Sequence, residues 1–230
     1  RYKTLLPSRG EFYPGDIYVT IPPCMDLKDL TTSSGLSINQ LLYKILNKRV
    51  TGINTNDILI SDKMWFLFYI RAMTYHDRPI ALKCTCPHCG TTSVQQYTLD
   101  KLQIKYYTTK LPDKQLKMPN EDLIEFTFPT IGTESQIQRT KNDPNVIEAI
   151  DDQFMLLASY IKSINGKKLN LWEAYKYISN ADAETFCFVV NKLDEFAFSC
   201  DMTAEFDCDC GEKMIVPIPL DQAFFIPKLF

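Results

Sequence analysis

The chain has 230 residues, 45% hydrophobic and 23% charged, which suits one large or two small folded domains and excludes a mini-protein or a disordered polymer. Its net charge of −3 gives no global pull toward nucleic acid or anionic membrane. Two histidines, His76 and His88, leave little material for multi-histidine metal chemistry or for general base work near neutral pH.

Residues 2–23 read as irregular to extended. Pro7-Ser8-Arg9-Gly10 and Pro14-Gly15 carry turn chemistry, and Ile17, Val19 and Ile21 alternate as in a half-buried strand. Ser37 is placed to cap a helix whose apolar face is Ile38, Leu41, Leu42, Ile45 and Leu46, with Gly52 as its end. Ser61 is placed to cap a second helix from Asp62. Its run over 64–70 is apolar on every side, which predicts a core helix rather than a docking surface. That run is too short for a bilayer, and no secretory h-region stands out, so the expectation is a cytoplasmic chain without a membrane span.

Residues 80–105 read as a hairpin around a cysteine turn, continuing into alternating Leu102, Ile104 and Tyr106. Ile124, Phe126 and Phe128 alternate in another strand, ended by Pro129 and Gly132. The polar segment 132–145 reads as a mobile connection. Residues 144–198 read as helical: Ile147, Ile150, Phe154, Leu157, Ile161 and Ile164 form one stripe that stops at Gly166. A short helix follows over 170–179, and Phe186, Val189, Leu193 and Phe196 form a second stripe. Asp151-Asp152 reads as a solvated face, and Asp182 and Glu184 as acids at a helix start. Strand character returns at 202–220, before the aromatic tail Phe224-Phe225-Ile226-Pro227-Lys228-Leu229-Phe230.

Five of the eight cysteines sit in two clusters, Cys84-Thr85-Cys86-Pro87-His88-Cys89-Gly90 and Cys208-Asp209-Cys210-Gly211. Each follows a strand-like run and precedes another, so the pair forms an internal pseudo-repeat of two hairpins. A cysteine turn closed by glycine lets thiolates converge, and two facing turns make a tetrahedral four-sulfur site suited to zinc. Three readings fit. The first is a structural zinc ion held by Cys86, Cys89, Cys208 and Cys210. The second is a site of free buried thiols, or one recruiting Cys84 or His88. The third is a redox dithiol at Cys86 and Cys89, which the turn-and-strand continuation after Gly90 disfavours, because that chemistry needs a helix N-terminus. Cys24, Cys187 and Cys200 are isolated, and Cys187, between Phe186 and Phe188, reads as a small core residue.

The fold class that follows is α+β, with β-hairpins forming a zinc-ribbon-like element plus a helical region. Four segments are expected: 1–60 with loop, strand and helix, 61–131 with the apolar helix and first cysteine hairpin, 132–200 as a helical insertion, and 201–230 with the second hairpin and tail. Glu205, Asp207, Asp209 and Glu212 outnumber Lys213 around the second turn, which argues against phosphate binding. A zinc-ribbon regulator that binds nucleic acid is the competing functional class. No phosphate-cradling glycine loop, nucleophile elbow or paired-histidine motif occurs, so no enzyme is expected.

Leu6-Pro7-Ser8-Arg9-Gly10-Glu11-Phe12-Tyr13, the Cys86–Gly90 turn, the later Cys-Gly turn and Phe224-Phe225-Ile226-Pro227 occur in one order. That ordered set resembles the baseplate hub subunits and hub-assembly proteins of contractile-tailed, T-even-like bacteriophages. The family's second turn is usually Cys-x-x-Cys-Gly, from which Cys208-Asp209-Cys210 departs. The resemblance implies a non-enzymatic role in building the hub in the host cytoplasm or in the virion baseplate, with other hub proteins as partners. The expected contact residues are Arg9, Phe12 and Tyr13 in the first turn and Phe225, Leu229 and Phe230 in the tail. A guanidinium and aromatic anchors of this kind dominate interface energy.

Overall fold

Local caps set the first elements. The computed structural model describes residues 3–23, 37–76, 78–112, 115–143 and 150–225, without the side chains of residues 222 and 223. The Ser37 hydroxyl accepts from the N–H of Gln40, and the Gln40 side chain accepts from the N–H of Ser37. This capping box opens α1 (Ile38–Arg49), which buries Leu42, Ile45 and Leu46. The helix stops ahead of Gly52 because the chain turns extended to pair with β1 (Tyr18–Val19) as β2 (Val50–Thr51). Of the alternating run over 17–21, only these two residues of β1 are strand; Ile17 is buried and Ile21 is exposed.

The second helix, α2 (Ile60–Tyr75), begins earlier than Ser61 suggests, with the Leu59 carbonyl accepting from the N–H groups of Asp62 and Lys63. Trp65, Phe66, Leu67, Phe68 and Ile70 are buried, so it is a core helix. His76 follows in the left-handed conformation, φ 49°, and terminates it. Next come the hairpin β3 (Ile80–Thr85) and β4 (Thr92–Tyr97), the two-residue β5 (Ile104–Lys105), and the strands β6 (Leu116–Lys117) and β7 (Leu123–Phe126).

Two expectations fail in the middle of the chain. The segment 132–145 is no mobile connection over most of its length, because α3 (Ile131–Lys141) occupies it. Thr130 caps this helix through Thr133, and only Ile131 is buried, so the apolar periodicity that marks a helix is missing. The stripe expected over 144–164 is not one helix. Asp151 caps the short α4 (Asp152–Ala158), and then β8 (Ile161–Ile164) and β9 (Lys167–Lys168) form a hairpin. Asn165 and Gly166 are its loop, both at positive φ, 50° and 77°, which is the two-residue turn that Asn-Gly favours. Ile147 lies outside the described residues. The remaining elements are α5 (Leu171–Ser179), α6 (Ala183–Phe196), β10 (Ser199–Cys200), β11 (Thr203–Asp207), β12 (Lys213–Pro217) and the single turn α7 (Gln222–Phe225).

The fold is α+β and divides into two compact units. The first comprises the described residues of Arg1–Ile53, Met64–Lys105 and Ser199–Phe230. It holds α1, most of α2, α7 and four antiparallel pairs of strands, β1–β2, β3–β4, β5–β10 and β11–β12. Leu6, Ile17, Leu42, Leu46, Phe66, Leu67, Ile70 and Phe224 are among its fully buried apolar side chains.

The second unit, Asn54–Lys63 and Tyr106–Phe198, is built on the sheet β6-β7-β8-β9 with α3, α4, α5 and α6. Phe128 and Phe198 meet edge to face at 4.8 Å, and Tyr107 packs on both. Lys63, 3% exposed, is neutralised by Glu134, whose two carboxylate oxygens accept at 2.9 and 2.7 Å. A buried ammonium demands such a partner.

Candidate metal centre

Each cysteine turn sits at the tip of a hairpin in the first unit, and both are closed by the same two backbone bonds. In the β3–β4 turn the N–H of Cys86 donates to Thr91 O at 2.9 Å, and the N–H of Gly90 donates to Cys86 O at 3.0 Å. In the β11–β12 turn the N–H of Cys208 donates to Glu212 O at 2.9 Å, and the N–H of Gly211 donates to Cys208 O at 2.8 Å. Cys86 therefore corresponds to Cys208, Gly90 to Gly211 and Thr91 to Glu212. The missing residue of the second turn shortens the loop without changing how it closes. Both glycines are left-handed, φ 72° and 86°, a conformation that β-carbon contacts penalise in other residues.

The two tips meet. Sγ atoms of Cys86, Cys89, Cys208 and Cys210 all lie within 4.8 Å of one another, the single metal-competent group among the described residues. Cys86 Sγ is 3.7 Å from Cys210 Sγ, and Cys89 Sγ is 3.6 Å from Cys208 Sγ. A tetrahedral ion with metal–sulfur bonds of about 2.3 Å separates its sulfurs by about 3.8 Å, so the four thiols fit zinc-sized coordination. Four soft sulfur donors would hold such an ion and leave no position for water, which makes the arrangement suited to a structural role. Cys84 is buried, with its thiol on the Leu82 carbonyl, and His88 is exposed; neither joins the group.

The thiols perturb each other. Hydrogen bonds from the Thr91 hydroxyl and backbone, then from the sulfurs of Cys86 and Cys208, stabilise the Cys89 thiolate and bring its pKa to about 6. For Cys208 a backbone bond at Cys210 pulls downward, but the sulfurs of Cys210, Cys89 and Cys86 push it up to about 12. At Cys210 the backbone bond at Glu212 and the Cys208 sulfur pull downward, but burial and the sulfurs of Cys86 and Cys89 together leave it raised. Neighbouring thiols thus favour the anion at Cys89 and oppose it at Cys208 and Cys210. Thr91, whose Oγ1 lies 3.3 Å from Cys89 Sγ, touches the group although the sequence reading does not single it out; its place directly after the turn glycine is the signal.

The other candidate residues are scattered. Arg9 is exposed at φ 57° and Phe12 is 37% exposed, in a turn tied by the Lys3 ammonium to the Tyr13 carbonyl. Tyr13 and Phe225 are buried within the first unit, at 5% and 3% exposure, because each fills its core. Leu229, Phe230 and Cys24 lie outside the described residues. Cys187 is exposed rather than in the core: two residues from both Thr185 and Val189, it points to the opposite side of α6 from their buried face.

The family model described as T4 bacteriophage base plate protein matches residues 25–225. The chain belongs to the T4 bacteriophage base plate protein family. No curated protein and no solved structure matches it. The match takes in both cysteine turns of this baseplate protein and begins after the turn that carries Arg9. No described helix is long and apolar enough to cross a membrane.

Proposed function

We propose that this baseplate protein acts in the hub, as an assembly factor or hub subunit, by binding other hub proteins and without bond chemistry of its own. Its membership of the baseplate family carries the reading. The all-cysteine group supports it: a zinc ion there would join two hairpins whose cysteines are more than a hundred residues apart in sequence, as a zinc-ribbon-like element does. Such an ion supplies folding energy rather than catalysis. The assembly-factor form, working in the host cytoplasm before the tail is complete, is the version we favour.

The binding face is the N-terminal turn. Arg9 and Phe12 are presented to solvent, while Leu6 and Tyr13 anchor the same turn in the core. Gly10 permits this close fold, since a β-carbon there would lie 2.6 Å from Lys3 Cβ. A guanidinium beside an aromatic ring on a rigid turn has the chemistry of an interface anchor. From the sequence, Leu229 and Phe230, which lie outside the described residues, are proposed as further contact residues, while Phe225 is buried.

Co-expression with each hub protein tests the reading. One hub protein is expected to co-purify, and Arg9→Ala with Phe12→Ala abolishes that capture while the melting temperature stays within a degree or two of the parent. Normal capture by the double variant removes the turn from the interface. Capture of none by the parent chain removes the hub role.

A further inference from the structure

The four sulfurs are not equivalent, and their differences follow a pattern. Two sulfur–sulfur hydrogen-bond contacts, Cys86 with Cys210 at 3.7 Å and Cys89 with Cys208 at 3.6 Å, both run between hairpins. Each joins one exposed cysteine to a more protected one: Cys210 is exposed and Cys86 buried, Cys89 is exposed and Cys208 half-buried. An exposed thiol beside a shielded one is the arrangement in which the first meets an oxidant and the second resolves the product.

The short second turn removes the main competitor. A disulfide between Cys208 and Cys210 closes a ring with only Asp209 between its ends, which bends two trans peptide planes away from ideal disulfide geometry. If those two do not pair with each other, complete oxidation sends each to a cysteine of the first turn. Cys86 with Cys210 and Cys89 with Cys208 already meet in hydrogen-bond geometry, which favours these two pairs within a cluster whose sulfurs all lie within 4.8 Å.

We infer that the four-cysteine centre is also a redox lock, which hydrogen peroxide converts to two disulfides crossing between the hairpins, Cys86–Cys210 and Cys89–Cys208. The thiolate of Cys89 attacks a peroxide oxygen, the O–O bond breaks, and a sulfenic acid and hydroxide form. Cys208 then attacks that sulfur, the S–S bond forms and a second hydroxide leaves. Cys210 and Cys86 repeat the sequence. Two peroxides accept the four electrons of four thiolates, giving two disulfides, four hydroxides and the freed divalent ion. The hairpins stay joined when the ion leaves, so the tips hold together in reducing cytoplasm and in oxidising surroundings alike. Only the release of metal rests on the zinc reading; the pairing rests on the sulfur geometry.

The test is peptide mapping of the full-length protein by mass spectrometry without reduction, after peroxide treatment and alkylation, in zinc-loaded and metal-free reduced samples. Expected are cross-linked peptides joining Cys86 to Cys210 and Cys89 to Cys208, loss of all four thiols of the centre, and stoichiometric zinc release to a chelating dye, reversed by a dithiol reductant. A Cys86–Cys89 link, sulfinic acids at Cys208 and Cys210, or links between two chains overturn the lock. Crosswise links in a protein that takes up no zinc overturn the metal reading and uphold the lock. Zinc uptake followed by any other pairing upholds the metal reading and overturns the lock.

Discussion

The guanidinium of Arg71, on α2, donates a hydrogen bond to the carbonyl oxygen of Phe224, on α7. Arg71 is 2% exposed, its charge lies 5.0 Å from the Phe224 ring centre, and the Tyr75 hydroxyl donates to the next carbonyl, that of Phe225. A single-turn helix cannot satisfy its own last carbonyls, so two side chains of α2 cap it. Burial lowers the Arg71 pKa, and its Nε finds no partner among the described residues. The cost of that burial is offset by what the guanidinium caps and stacks on.

The first prediction follows from this clamp. Arg71→Ala removes charge-assisted bonds and leaves a cavity, and costs about 3 kcal/mol or more by urea unfolding. Arg71→Met keeps the apolar stem without the buried charge and costs less than half as much. Phe224→Ala costs about 3–5 kcal/mol, and combined with Arg71→Ala the losses fall short of their sum, because the two share one contact. Equal effects for Ala and Met at position 71 would show that the apolar stem contributes nothing and that the hydrogen bonds carry the whole effect.

The centre yields the second. Protein purified without chelator should carry one zinc ion per chain by elemental analysis, and chelation should lower its melting temperature. Cys86→Ser should lower stability sharply, whereas Cys187→Ser, at an exposed position, changes it by about 0.5 kcal/mol or less. Protein free of zinc, or a Cys187 variant as damaged as the Cys86 one, contradicts the assignment.

How much of this was legible depended on whether the deciding signal was local. The cysteine turns carry their glycines within a few residues, so the four cysteines that converge could be named from sequence although 119 and 124 residues separate the sulfurs that touch. The Ser37 cap and the apolar α2 were equally local. At β8, Ile161 and Ile164 continue the spacing of Phe154 and Leu157 and so read as helix with Gly166 as its stop; the stronger signal is the pair Asn165-Gly166 as a hairpin loop. For α3 no apolar face existed to read, and only the Thr130–Thr133 cap marked it. Tyr13 and Phe225 looked like anchors for a partner because aromatic residues serve cores and interfaces alike, and only tertiary structure separates the two.

Proton release makes the third prediction. Near neutral pH, Cys89, brought to about 6, is already a thiolate, whereas Cys208, pushed up to about 12, and Cys210, also raised, keep their protons. A metal binds thiolates, so zinc must displace those two protons. Calorimetry in buffers of different ionisation enthalpy should show at least two protons released per zinc. Affinity then rises with pH, and it falls more steeply below about 6, where the metal-free Cys89 protonates as well. Binding heats independent of buffer would rule this out.

The last prediction separates two reasons for a left-handed glycine. Gly90 and Gly211, φ 72° and 86°, have nothing within 4 Å of a would-be β-carbon, so an alanine there pays only the backbone penalty, about 1–2 kcal/mol. Gly52, φ 89°, has the same backbone, but its β-carbon would lie 2.0 Å from the carbonyl oxygen of Asp16, next to the β1–β2 pairing. Backbone cannot yield there as a flexible side chain would. Gly52→Ala should therefore destabilise well beyond Gly90→Ala. Asparagine tolerates the left-handed region, so Gly90→Asn and Gly211→Asn should recover most of the loss, while Gly52→Asn recovers none of the clash. Melting temperatures of the six variants check the ordering. If asparagine rescues position 52 as well as it does position 90, the close approach of Asp16 is not what holds that glycine in place.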